Sequence, residues 1–229
     1  MRKVQQIMGM PISIDIPGCD NTQVFDWAFA RLRQIDNKFS TYKPQSEVSL
    51  YINSKIEEAD LSRELKNIIR ACHRAEKLTG GYFSAWASGQ FDPSGYVKGW
   101  AIAEAGDIIE KTGYGTYCIG AGGDILAKSD SDKVWSIGIQ DPNDKTKILN
   151  KLSISKGAVA TSGNYERGTH IVNPKTNLPA NDFMSVTVSG PDIIWADVLA
   201  TAIFAMGPAG QNYIKSWPSY EAIIISTAT

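Results

Sequence analysis

The run from Ile193 to Met206 is apolar except at Asp197 and Thr201, and no other stretch so narrows what this chain can become. It falls short of the ~20 apolar residues of a membrane span, so it reads as an amphipathic helix of the interior. Asp197 and Thr201 are four residues apart, hence on one helical face. Their neighbours are apolar, which turns a carboxylate and a hydroxyl into the protein together. Burying such groups is costly unless something pairs with them, so the rest of the chain must supply a partner. Two oxygens one turn apart suit a hard cation such as Mg²⁺, which keeps water and phosphate oxygens in its other positions. Taken alone, the pair is equally well a helix-terminal Asp and a Thr that bonds back to a carbonyl.

The 229 residues make one domain or two small lobes sharing a core. With 24 acidic and 23 basic side chains the net charge is -1, which leaves no electrostatic footprint for nucleic acid or an anionic membrane. Cys19, Cys72 and Cys118 are scattered without a CxxC pair, against a zinc site or a disulfide framework. Val4 to Gly9 lacks the apolar run of a targeting segment. The expectation is a soluble, cytoplasmic protein without a membrane span.

Ile12, Ile14 and Ile16 alternate with polar residues as a strand. Helical stripes follow through Val24–Ile35 and Leu61–Leu78, with a short helix-like segment through Val48, Leu50 and Ile52 between them. A third helix is expected from about Val97 to Lys111. Strand-like runs come next at Thr116–Ile119, Val134–Ile139, Leu152–Ser155 and Phe183–Val188, and Glu221–Ser226 closes the chain. Helices and strands mix without strict βαβ alternation, so the fold class is α+β (mixed α/β), not a doubly wound Rossmann sheet.

Three further segments could carry chemistry. Gly95 frees the backbone before a helix start, where N–H groups attract an anion, and Lys98 in that first turn is badly placed unless an anion lies nearby. Gly120-Ala121-Gly122-Gly123-Asp124 lets a ligand approach the backbone but leads into a strand, which argues against a dinucleotide fingerprint. Gly157 to Arg167 reads as a loop of small hydroxyl residues able to accept phosphate. After it, His170 is either a general base or phosphate donor, or a histidine tying the loop to a carbonyl. His73 reads as a surface residue.

In chain order, Met8-Gly9-Met10, Phe39-Ser40-Thr41-Tyr42, Ser46-Glu47-Val48-Ser49, Val97-Lys98-Gly99-Trp100-Ala101, Gly122-Gly123-Asp124-Ile125, Ala160-Thr161-Ser162-Gly163, His170-Ile171-Val172-Asn173-Pro174 and Asp197-Val198-Leu199-Ala200-Thr201-Ala202 resemble the FAD:protein FMN transferase family, the ApbE-like flavin transferases. The likeness spans almost the whole chain. It implies antiparallel-rich sheets flanked by helices, in a single domain 1–229 or two lobes with the FAD site between them. It also implies a Mg²⁺-dependent enzyme that cleaves FAD and moves FMN to a Thr or Ser hydroxyl of an acceptor flavoprotein, releasing AMP.

Position by position, the resemblance makes Asp197 and Thr201 metal ligands and gives Gly95 a backbone carbonyl on the metal. Met8, Tyr42, Asp92, Lys98, His170 and Ile171 fall on positions that line the FAD site, and Tyr82, Phe83 and Ser84 on a further flavin-contacting segment. His170, with Asp197, is the candidate catalytic residue, relaying the acceptor's proton or steadying a phosphate oxygen. An FAD pyrophosphatase and a non-catalytic FAD-binding protein are the alternatives. The chain departs from the family pattern in three places. No lipoprotein leader is visible, the interval between Phe83 and Asp92 is compressed with Ser84 where an acidic residue is often found, and Ala200 stands where some relatives offer a third carboxylate.

Overall fold

Strand pairing starts at the first residues. In the computed structural model, which describes residues 1–164 and 171–227, β1 (Arg2–Ile7) and β2 (Met10–Asp15) form a hairpin. Met8 and Gly9 close it with φ of 56° and 72°, the left-handed conformation that a two-residue hairpin turn demands. Three helices follow: α1 (Thr22–Phe39), α2 (Glu47–Ile52) and α3 (Arg63–Leu78). Each begins where a short polar side chain satisfies a free backbone amide: Asn21 for Gln23, Ser46 for Ser49 and Ser62 for Leu65. The stripe expected on α1 is the one buried, from Val24 through Ile35 to Phe39.

After α4 (Ser94–Lys111) come β3 (Tyr117–Ala121) and β4 (Asp124–Lys128), then a separate hairpin of β5 (Trp135–Gln140) and β6 (Ile148–Ile154). The chain continues through β7 (Lys156–Gly163), the short pair β8 (Val172–Asn173) and β9 (Leu178–Pro179), β10 (Phe183–Gly190), α5 (Ile193–Met206) and β11 (Glu221–Ser226). Seven strands make the main sheet in the order β1-β2-β3-β4-β7-β10-β11, every neighbouring pair antiparallel. The α+β class and the antiparallel-rich sheet are therefore as expected.

The stretch expected as a loop from Gly157 is strand as far as Gly163, in register with β4 on one side and β10 on the other. Its glycines and hydroxyl residues mimic loop composition, but a central strand held on both edges does not need local propensity.

On one face of the sheet α5 lies over β7 and β10, α4 packs beside it, and α1 packs beyond α4. The expected amphipathic stripe on α5 is not what this position asks for. Residues on all its sides are buried, among them Ile193, Asp197, Ala200 and Phe204, because it is enclosed by sheet and helices. The run Ile193–Ser216 is long and apolar enough to cross a membrane, but most of it is buried within the domain. Gly207, with φ of 62°, ends α5 and breaks the run. The β5–β6 hairpin packs on the opposite face, where Trp135 and Ile137 join Ala127 and Val159 in a small second core.

Candidate functional site

Two helices and two strands place the polar groups that the apolar core would otherwise exclude. α4 brings Lys98 and α5 brings Asp197 and Thr201, while Asp124 opens β4 and Ser162 lies near the end of β7. Side chains alternate across a strand, so Ser162 faces the helices and its neighbour Thr161 faces the hairpin. Ser162 Oγ is 3.0 Å from Thr201 Oγ1, and Thr161 Oγ1 is 2.9 Å from Thr187 Oγ1 on β10. A cavity of about 780 Å³ curves round these strand ends from the helix side to the hairpin side. Its walls include Lys98, Asp197 and Thr201 on one flank and Ile137 and Ile139 of β5 on the other. That volume lies within the range of small-molecule and cofactor sites.

The charges form one cluster. Lys98 Nζ is 2.8 Å from Asp124 Oδ2 and 3.2 Å from Asp197 Oδ1. The puzzling lysine, which the structure places at the start of the second turn of α4, is thus answered by anions, both of them carboxylates of the protein. Asp124 and Asp197 are 0% and 2% exposed. Burial pushes the Asp197 carboxyl up to about 7, and the nearby Asp124 charge pushes the same way; the Lys98 ammonium and the Gly99 amide oppose them. Burial alone would depress the Lys98 ammonium, but the two carboxylates outweigh it and hold it above its ordinary value.

Asp197 Oδ2 is buried and has no hydrogen-bond partner among the described residues. A buried carboxylate oxygen left so is expensive, and the residue that carries it lines the cavity, as does Thr201 one turn later. That donor set, hard oxygens with surplus negative charge, fits Mg²⁺. Gly95 lines the same cavity in the first turn of α4, as its expected role requires. A methyl group there would lie 3.3 Å from the Phe83 ring, so the aromatic side chain seats that turn of the helix.

The other expected residues divide. Tyr42, Tyr82, Ser84, Asp92 and Ile171 all line the cavity. Tyr42 is 92% exposed at its edge, and the Lys175 ammonium lies 4.1 Å from the Tyr82 ring centre. Asp92 also accepts the Ser94 amide at 2.9 Å, which starts α4. Phe83 is buried with Val198 and Ala202 beneath the site and is not part of its wall. Met8 packs against the main core from the β1–β2 turn and likewise lies off the wall. His170, and Arg167 with it, lie outside the described residues.

Thr161, Ser162 and Thr187 are wall residues, and Asp124 is buried behind the wall, where it accepts the Thr161 amide; the sequence pattern assigns none of them an individual role. The signal for Asp124 was available: an acidic residue after paired glycines and before an apolar strand has to be buried or pointed at a ligand. Ala200 is fully buried, and the second carboxylate of the cluster comes from β4 instead.

Comparison with known proteins places this arrangement. The ApbE family model matches residues 8–90 and 86–224. The FAD:protein FMN transferase of Vibrio cholerae is 34% identical over 128 residues, 51% of this chain and 38% of that protein. The FAD:protein FMN transferase of Treponema pallidum is 33% identical over 114 residues, 45% of this chain and 32% of that protein. Both alignments thus take in well under half of the relative's length. Among solved structures, the ApbE protein of Thermotoga maritima superposes with a TM-score of 0.86 at 22% identity, covering 99% of this chain and 94% of the other. The flavin transferase ApbE of Vibrio cholerae gives 0.83 at 20% identity, covering 99% and 97%. At such identity the superpositions show a shared fold; the family match runs along nearly the whole sequence, and the chain belongs to the ApbE family.

Proposed function

We propose that this chain is a Mg²⁺-dependent FAD:protein FMN transferase, which moves FMN from FAD to a Thr or Ser hydroxyl of an acceptor flavoprotein and releases AMP. The observation that carries the reading is the Asp197 carboxylate: buried, with one oxygen lacking a hydrogen-bond partner among the described residues, beside Thr201 and Lys98 at the wall of a cavity large enough for a nucleotide. The names of the curated relatives support the choice of reaction.

Asp197 and Thr201, with the Gly95 carbonyl, would hold the cation. When bound, it supplies charge neutralisation and polarisation at the diphosphate oxygens. The remaining work belongs to the chain. In phosphoryl transfer the protein contributes chiefly positioning and electrostatic stabilisation. Lys98 is placed to pair with a diphosphate oxygen, and the hydroxyls of Thr161, Ser162 and Thr187 offer neutral donors along the same wall. The apolar hairpin residues Ile137 and Ile139 limit water on the opposite side. Tyr42 offers a flat face for the isoalloxazine ring. The acceptor oxygen forms a bond to the phosphorus that carries FMN, the bond to the AMP oxygen breaks, and the hydroxyl proton passes to a base. His170, on a position that the family resemblance gives to the FAD site, is the candidate to relay that proton or to steady a phosphate oxygen.

The test is incubation of the chain with FAD, Mg²⁺ and a candidate acceptor flavoprotein, followed by intact-mass analysis. A gain of one FMN on the acceptor with stoichiometric AMP is the expected result, lost in Asp197→Asn. Free FMN and AMP with an unmodified acceptor would move the reading to an FAD pyrophosphatase. FAD binding without either product would leave a binding protein.

A further inference from the structure

Asp124 has no part in the reaction just described, yet it is the most deeply buried charge in the site. Its Oδ1 accepts the Thr161 amide at 3.2 Å, and its Oδ2 lies 2.8 Å from the Lys98 ammonium. The same ammonium reaches Asp197 Oδ1 at 3.2 Å. One cation is thus divided between two carboxylates, one on β4 and one on α5. Among the described residues of this cluster two acids share one ammonium, and Asp197 Oδ2 has no hydrogen-bond partner among them.

A divalent cation taken by Asp197 repels the ammonium beside it, and the ammonium then needs another counter-charge at the same spot. Asp124 is that counter-charge, fixed in place by its bond to the β7 backbone. We propose that Asp124 is a positioning residue that draws Lys98 off Asp197 when the cation binds. The ammonium is shared in the cation-free protein and held by Asp124 in the loaded one, its remaining N–H donors turned to an anion in the cavity. Without Asp124, Lys98 is left to Asp197 and competes with the cation for it. The inference rests on Asp197 being a cation ligand, and the experiment separates the two claims.

The measurement is calorimetric titration of the full chain with MgCl₂ in the absence of flavin, on the wild type, Asp197→Asn, Asp124→Asn, Lys98→Met and the Asp124→Asn/Lys98→Met double variant. Asp197→Asn must lose the binding heat; if it titrates like the wild type, the cation reading itself fails. Given that loss, the double-mutant cycle decides about Asp124. Removing Lys98 should change Mg²⁺ affinity less than about threefold when Asp124 is present, and raise it more than about tenfold when Asp124 is Asn. Equal factors in the two backgrounds would mean simple summed charge and overturn the proposal, because a residue that only braces Thr161 produces no such coupling. If the Asp124 variants do not fold, Lys98→Met alone still decides. A gain of about tenfold or more in the otherwise native protein would show Lys98 competing despite Asp124, and the proposal would be wrong.

Discussion

Gly99 on α4 and Ile194 on α5 meet backbone to backbone: a methyl group on Gly99 would lie 2.9 Å from the Ile194 Cα and 3.1 Å from the Ile193 carbonyl oxygen. No flexible side chain is there to yield, so the helices themselves must part. This close approach lets Lys98, one residue earlier, reach Asp197, four residues into α5. Gly99→Ala should therefore cost about 1–3 kcal/mol through overpacking. It should also weaken Mg²⁺ binding, although it removes no polar group. Thermal melts and a Mg²⁺ titration on the same variant check this; a lowered melting temperature with native cation affinity would show that helix spacing does not set the site.

Much of this was legible before any coordinates. The α1 stripe and the closing strand Glu221–Ser226 follow from hydrophobic periodicity, which acts locally. Asp197 and Thr201 stood out because polar groups in an apolar helix need an explanation. Strand β1 has no such signal: it is an edge strand, largely exposed, and its two apolar residues, Val4 and Ile7, are three apart and so point to opposite faces. β7 has the composition of a loop because its stability comes from β4 and β10, far away in sequence. The charge cluster was out of reach for the same reason: Lys98, Asp124 and Asp197 converge from three elements, and no local pattern records that meeting.

The Asp197 carboxyl gives the protein a pH dependence with a definite sign. Its folded value is raised from 3.8 to about 7, chiefly by burial. A raised value means stability that is fully present below the unfolded value and lost as pH rises through the folded one. Cation-free wild type should thus lose stability relative to Asp197→Asn between pH 3.8 and about 7. Mg²⁺, which needs the ionised acid, should stabilise the wild type most at and above the top of that window. Melting temperatures of both proteins across pH, with and without Mg²⁺, test it; parallel curves without the cation would remove Asp197 as the source.

Thr201→Val separates the hydroxyl from the shape of its side chain. The exchange deletes the 3.0 Å contact with Ser162 and should cost about 1 kcal/mol of stability, the usual net worth of a hydrogen bond. Helix α5 should remain intact, because valine fills nearly the same volume. Mg²⁺ affinity should fall by clearly more than the stability change accounts for, while Thr201→Ser should restore it. Equal binding by the valine and serine variants would show the cation to be held without this oxygen.

On the proposed function Tyr42 is the opposite case, a side chain expected to contribute to FAD binding and almost nothing to the fold. At 92% exposure it stands clear at the cavity edge. Its loop is braced without it, by the Lys43 pair with Asp36 at 2.6 Å and by Ser46 and Ser49, whose hydroxyls both donate to the Ser40 carbonyl. Tyr42→Ala should therefore leave stability within about 0.5 kcal/mol of the wild type. FAD should bind about three- to tenfold more weakly, the loss of one aromatic stacking partner. AMP should bind as before, because it lacks the isoalloxazine ring. Tyr42→Phe, which keeps the ring and removes the hydroxyl, should retain native FAD affinity. Fluorescence titration of the three proteins with FAD and with AMP distinguishes the causes. Equal weakening toward both ligands would locate the effect of Tyr42 in the shape of the loop, not in a stacked flavin.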